Sequence, residues 1–468
     1  MNAQHRLRRT AHDSRDQGFT LIEVLVAMMV FGILSVLVAY LLTSAMTITR
    51  SNRSSEVAAN LAAQAIDQAR SATNVFSVVS GVTTTTVDGT TYTVTKSAGW
   101  LTNTGTASDC GTSGLLQNKT LNVAVTWSGM RTGASPVQAS TLLAPAGPIN
   151  DPTTGTIIVH VRDASGVGVA GVPIGVAVDG SVSPNTGTTV SPAPSATDVD
   201  GCSYVLKVVP GSYIVTIGTA GDGRISSDQQ QPLKLSVPVT AGQSSVLDKQ
   251  YDTAATPKLT LAPGAPATTM FPTNLTVTYV PQGDAYTTRV TTATVSGVTT
   301  TSTLLFPFSS GYQAFAGTYV AVGPAGGAAP ICLSVDPGAW TIPNASGNVG
   351  VRSDPIIGIT SGATGTVTMP QVTVAGVSGR WLVAVSAPAA STVGDPGCTT
   401  GMSLTFAKAS TSSVTLALPY GSWKLYSLAR QTDTVSSSPV VASTSITLPA
   451  GSPPFTTGNI FTLDPRQP

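Results

Sequence analysis

Glu23 is the residue most out of place in this chain. It is the one charged side chain in FTLIEVLVAMMVFGILSVLVAYLL, residues 19–42. A carboxylate in a run this apolar costs about 2.5–3.5 kcal/mol at the centre of a bilayer and less near its edge. A partner cation offsets that cost, so ion pairing is the chemistry its place suggests. Other reactive groups are sparse. Of the three histidines, His5 and His12 precede the apolar run, and His160 stands alone after it. His160 is expected to point outward with Arg162 on a strand. One exposed imidazole supplies at most one member of a Ser-His-Asp triad, and no GxSxG elbow accompanies it. Cys110, Cys202, Cys332 and Cys398 lie far apart, so no CxxC motif exists. Zinc needs several His or Cys ligands at short spacing, and phosphate binding of the Walker type needs a Gly-rich loop; neither pattern occurs. Asp200, Asp222 and Asp395 sit in the turn-forming strings VDG, GDG and GDP and are expected to be solvated turn residues. Paired aspartates for glycoside hydrolysis are set in space, so the sequence leaves them open. The expectation is no enzyme, no cofactor and no metal. All four cysteines are disulfide candidates in an exported chain; three pairings are open to them, and a free buried thiol is the alternative.

The elements that must position these groups follow from composition. A chain of 468 residues suggests three or four domains. Only 10% of it is charged and the net charge is +1, which gives nucleic acid no electrostatic partner. The only glutamates are Glu23 and Glu56; beyond residue 72 Gly, Pro, Thr, Ser and Val dominate. That bias favours short strands and turns. Arg6, Arg8, Arg9 and Arg15 precede the apolar run, which predicts a cytoplasmic N-terminus. At about 1.5 Å per residue the run can cross a bilayer core of about 30 Å. It is too long for the core of a secretory signal, and no small-x-small cleavage site follows it. Residues 43–72 contain no Pro or Gly, and Ala58, Leu61, Ala62, Ala65, Ile66 and Ala69 fall at helical spacing. The helix should therefore continue past the membrane with one weakly apolar stripe.

The string Gly18-Phe19-Thr20-Leu21-Ile22-Glu23-Val24-Leu25-Val26-Ala27 resembles the class III signal of type IV pilins and pseudopilins. The resemblance implies a cut after Gly18 by a membrane-embedded prepilin peptidase, followed by N-methylation of Phe19. It implies that the apolar stretch stays as membrane anchor and later as filament core. It also implies that Glu23 pairs with the N-terminal amine of a neighbouring subunit during assembly.

Beyond the helix, Thr91–Thr95 and Leu121–Trp127 alternate as strands, the second with Leu121, Val123, Val125 and Trp127 on one face. With Cys110 in a loop between them, this segment is similar to the small meander heads of minor pilins. LLAPAGPINDP, residues 142–152, reads as a linker. Strands are then expected with Ile157, Val159 and Val161 inward, with Val172, Ile174, Val176 and Val178, with Tyr204, Leu206 and Val208 alternating, and with Tyr213, Val215 and Ile217. Short strands joined by turns make a β-sandwich. GVGVAGVPIGVAV, TDVDGC and PGSYIVTI, residues 166–178, 197–202 and 210–217, look like the carboxypeptidase-regulatory or Cna-B type of immunoglobulin-like module. A turn followed by an aromatic recurs at Gly211-Ser212-Tyr213, Gly317-Thr318-Tyr319, Gly338-Ala339-Trp340 and Gly421-Ser422-Trp423. The aromatic is expected to start a strand and plug a sandwich end.

The fold class expected is α+β. A long N-terminal α-helix, transmembrane in its first half, carries a small β-meander head, and all-β Ig-like sandwiches follow. The divisions are a leader at 1–18, the helix at 19–72, the head at 73–145, and modules at 153–252, 256–350 and 356–466. The functional expectation is a minor or specialised type IV pilin. Its partners are prepilin peptidase, other pilin subunits, the pilus assembly machinery, the membrane, and a surface or glycan ligand of the modules. Its place is the cell membrane and the surface pilus. Two alternatives stand beside it: a pseudopilin of a type II-like secretion system, and a surface-anchored carbohydrate-binding or carbohydrate-processing protein.

Overall fold

The computed structural model describes residues 20–112, 114–147, 149, 151–282, 291–296, 299–300, 304–319, 332–356, 362–387, 394–398 and 401–467. The leader residues, Gly18 and Phe19 lie outside them. Helix α1 runs unbroken from Leu21 to Arg70, 50 residues. Nothing in its second half can break it, since neither Pro nor Gly occurs there. It ends where Ser71 donates back to the Asp67 carbonyl and Asn74 caps a short turn through Phe76 N–H.

The chain forms two compact units, one of residues 1–98 and 119–144, the other of 99–118 and 145–468. The first unit holds α1 and the meander: β1 (Gly81–Val87), β2 (Thr90–Thr102), β4 (Leu116–Trp127) and β5 (Val137–Leu143), antiparallel in that spatial order, with the short β3 (Ala107–Ser108) added beside β2. Alternation dictates the core. Tyr92 and Val94 of β2 and Leu121, Val123 and Val125 of β4 face Ala58, Ala62, Ala65 and Ile66 of α1. Four of the six stripe positions expected on α1 are thus buried, and Leu61 and Ala69 pack at its margin.

The second unit begins with a clasp. Residues 99–118, the far end of the β2–β4 hairpin, group with the sandwich rather than with the head. Trp100, Cys110 and Leu116 are fully buried there, and a Cys110–Cys202 disulfide fastens the clasp to the sandwich. The sandwich strands are β6 (Gly155–Arg162), β7 (Ile174–Val178), β8 (Cys202–Val208), β9 (Gly211–Ile217), β10 (Arg224–Ser226), β11 (Leu233–Val239) and β12 (Ser244–Thr253). One sheet has the order β10-β12-β6-β8, with β12 parallel to β6, and the other β11-β9-β7. Ile157, Val159, Val161, Tyr213, Val215 and Ile217 meet between them, on the faces expected from alternation.

Two expectations need correcting here. In β8 the inward residues are Val205 and Val208, not Tyr204 and Leu206. Lys207 takes φ of 57° and the β6–β8 register slips between Gly155 and Ile157, so Val208 returns to the core three residues after Val205 rather than two. Tyr204 faces the other way, its ring 6.0 Å from that of Trp100 in the clasp. His160 is not an exposed histidine. Its side chain is only 12% exposed, with Nδ1 3.5 Å from Asp248, because β12 lies alongside and puts Asp248 beside it in register.

From Ala254 to Leu463 a single hydrophobic core continues. The strands of this region are β13 (Lys258–Leu261), β14 (Thr276–Pro281), β15 (Thr291–Ser296), β16 (Thr299–Thr300), β17 (Tyr312–Ala316), β18 (Thr364–Val367), β19 (Gln371–Ala375), β20 (Trp381–Ser386), β21 (Ser403–Thr405), β22 (Ser413–Ala417), β23 (Gly421–Leu428), β24 (Ile446–Thr447) and β25 (Ile460–Leu463). The sheets read β17-β14-β15-β16-β13-β18, β22-β19-β24 and β21-β20-β23-β25. A division near residue 350 would separate β13 from its parallel partner β18 and would cross the Cys332–Cys398 disulfide.

The four turn-aromatic motifs all bury their ring, but only Tyr213 and Trp423 lie at the start of a strand. Those two share a device. Tyr213 Oη donates to the Val209 carbonyl at 2.7 Å and Trp423 Nε1 to the Pro419 carbonyl at 2.9 Å, each four residues back. Tyr319 follows β17, and Trp340 closes a 3₁₀ turn.

Candidate membrane and assembly helix

Among the described residues nothing covers the first half of α1. Every residue from Thr20 to Arg50 is exposed, Ser44 alone excepted. Leu21 is 79% exposed, Phe31 73% and Tyr40 71%. Among the described residues this is the one helix long and apolar enough to cross a membrane, with a mean hydropathy of 2.7. Leu21–Leu42 rises about 33 Å, slightly more than a hydrocarbon core.

The hydroxyls in this half fit a dry environment too. Ser35 donates to the Phe31 carbonyl at 2.7 Å, Thr43 to Tyr40 at 2.9 Å, Thr47 to Ser44 at 2.8 Å and Thr49 to Ala45 at 2.8 Å. Each of these four polar hydrogens returns to the backbone of its own helix and asks nothing of water. Glu23 is different. It lies in the first turn of α1, where the unpaired N–H groups favour an anion. Its contact among the described residues is the Thr20 hydroxyl at 3.5 Å, a long bond that leaves most of its acceptor capacity unused.

The remaining candidates are spread through the second unit. Asp200 lies in the turn before β8. Asp222 accepts the Tyr251 hydroxyl at 2.9 Å, and burial together with that bond pushes the phenol above its usual range. Asp395 is not a solvated turn residue. It is buried and accepts from the hydroxyls of Ser334 and Ser422 and from the Gly397 N–H. The signal missed in the sequence was Ser334 and Ser422, hydroxyls remote in sequence that only the fold brings to it. A second network joins the buried Asp336 and Tyr319 to the exposed Arg352, and burial with the nearby Asp336 charge pushes the Tyr319 hydroxyl up to about 12. These networks pin loops. The structure does not bring His160 to any of them. Burial lowers the proton affinity of His160, and Asp248 partly restores it. Among the described residues no group of three His, Cys, Asp or Glu side chains is placed to hold a metal ion.

A family model described as the prokaryotic N-terminal methylation motif matches residues 13–39. The chain carries the prokaryotic N-terminal methylation motif. The match runs from the end of the basic N-terminal segment, through Gly18, Phe19 and Glu23, into the exposed half of α1. The motif is therefore followed directly by the long apolar helix and then by a β-sandwich-like body. No curated protein matches the chain. Among solved structures, the Bacillus anthracis TIE protein is similar at 12% identity over 75% of this chain and 68% of that one, with a TM-score of 0.19. The Streptococcal ancillary pilin is similar at 14% identity over 53% and 76%, with a TM-score of 0.20. BcpA, the major pilin subunit of Bacillus cereus, is similar at 12% identity over 62% and 92%, with a TM-score of 0.19. Scores that low carry no argument about fold or function.

Proposed function

We propose that this chain is a minor or specialised type IV pilin. Prepilin peptidase cuts after Gly18 and methylates Phe19. The mature chain is held in the membrane by α1 with its N-terminus on the cytoplasmic side. During assembly Glu23 pairs with the N-terminal amine of a neighbouring subunit, and the helix becomes part of a filament core. The sandwiches are displayed outside for adhesion or a tip function, with a surface or glycan ligand. The observation that carries this reading is an apolar helix surface, exposed along its whole first half, with one carboxylate in its first turn. Such a surface needs lipid or other helices around it, and a lone carboxylate there needs a cation. The Cys110–Cys202 and Cys332–Cys398 bonds support export of the body to an oxidising compartment. Its bulk supports low copy number, since a shaft crowded with such bodies could not pack.

Intact-mass analysis of the protein from its native cells, with N-terminal sequencing, tests the reading. The expected product starts at Phe19 and carries one added methyl group. A start at Met1, or a cut beyond Leu42, sinks it.

A further inference from the structure

The mature chain of the reading above has no basic side chain until Arg50, because the four arginines before the apolar run leave with the leader. Arg50 and Arg53 line a groove of about 750 Å³ in the first unit, with Ser54, Asp88, Gly89 and Trp127 opposite or beside them. Arg53 Nη2 is 2.8 Å from Asp88 Oδ2, and both side chains are largely exposed. The Arg50 side chain is exposed and makes no hydrogen bond or salt bridge among the described residues.

We propose that this groove binds the phosphate of a bilayer phospholipid in the leaflet from which the head emerges. The inference rests on reading α1 as membrane-spanning, and four observations carry it further. The first is height. Arg50 is eight residues beyond Leu42, about 12 Å along the axis. Met46 and Ile48, 70% and 57% exposed, extend the apolar surface upward between them. The Arg50 backbone thus stands a few ångströms above a headgroup layer about 5–8 Å deep, a gap that a long side chain can span. The second is direction. Side chains on a helix tilt toward its N-terminus, which here is toward the bilayer, so the unpaired Arg50 guanidinium can reach back toward the headgroup level. The third is chemistry. A guanidinium fork matches two phosphate oxygens; Arg50 has its whole fork to give, while Asp88 holds Arg53 in place. The fourth is Trp127, half-buried at the groove and 6.3 Å from the ring of the buried Tyr92. Tryptophan is a residue that settles at a membrane–water boundary. A positively charged groove continuous with a membrane-spanning surface selects an anionic lipid headgroup over a neutral peptide or a second copy of this chain.

Native mass spectrometry of the full chain released from phosphatidylglycerol nanodiscs tests the proposal. The wild-type chain is expected to retain a lipid. Retention should fall about fivefold in Arg50→Gln, which keeps the Arg53–Asp88 pair, and by the product of two such factors when Arg53→Gln is added. Slow amide exchange in β2 should be unchanged in both variants, which separates lost binding from lost folding. Equal retention in all three chains overturns the proposal. So does displacement of the lipid by excess inorganic phosphate, which makes the groove a plain anion site, or retention of a second chain in place of a lipid. A chain that does not enter nanodiscs overturns both this proposal and the membrane reading. A native N-terminus other than Phe19 overturns the pilin reading alone.

Discussion

The two halves of α1 are one helix in two solvents. From Leu21 to Ile48 it carries leucine, isoleucine, valine, methionine and phenylalanine and exposes nearly all of them. From Ser54 to Ala69 it carries mostly small or polar residues, yet Ala58 and Ala62 are completely covered. Hydrophobicity and burial run in opposite directions along the same rod. The upper half is buried because alanine lets a sheet approach closely, and Tyr92, Val94, Leu121, Val123 and Val125 supply the apolar area from the other side. The lower half offers large side chains all around, and no sheet of this chain can cover a full circumference. Its cover has to come from outside, as lipid first and, in the proposed filament, as neighbouring helices.

The strongest way to break this comparison is a charge at the middle of the exposed half. Leu34→Arg should cost about 2.5–3.5 kcal/mol at the centre of a bilayer, a loss in membrane-inserted chain on the order of a hundredfold. Fractionation of cells or vesicles reads it. Amide exchange in β2 and β4 should not move, because Leu34 touches neither. If insertion is unaffected, the exposed half does not face lipid.

The converse change belongs in the covered half. Ala62→Leu adds bulk where α1 meets the sheet, and overpacking of this kind costs about 1–3 kcal/mol. The expected result is faster exchange of the slow amides around Tyr92, Val94 and Val123, with membrane retention unchanged. An unchanged exchange pattern would mean that α1 does not rest on the sheet through this stripe.

How far the sequence revealed all this depended on whether a pattern was local. The apolar run, the helix beyond it and the carboxylate in its first turn are consecutive residues, so they were legible. So were Leu121, Val123 and Val125, and the inward faces of β6 and β9 in the first sandwich, because alternation is also local; β8 broke its alternation at Lys207. The clasp was not. Its signal was present in Ile157-Ile158-Val159, since a strand that buries consecutive residues is covered on both faces. Ile158, fully buried, turns to the side opposite Ile157 and Val159, where Tyr204 stands across from it in register and meets Trp100. The cysteine pairing follows from that contact and from nothing in the spacing of the cysteines. The interlock of β13 with β18 was invisible for the same reason: parallel partners about a hundred residues apart share no local pattern. Asp395 looked like a turn residue because its serine partners are remote in the chain.

The smallest change sharpens the comparison most finely. Ser35 lies in the exposed half, and its hydroxyl donates to the Phe31 carbonyl of the same helix. That carbonyl keeps its own helical bond when the hydroxyl is removed, so no buried group loses its partner. Ser35→Ala should therefore change membrane retention and filament yield by less than about twofold, since the hydroxyl is already satisfied within its own helix. Retention and filament yield are read separately, and the pair of readings is informative. Retention unchanged with a large drop in filament yield would show that Ser35 turns its hydroxyl to a neighbouring helix on assembly. The exposed half of α1 would then have one polar contact built for protein rather than lipid, placed three turns above Glu23.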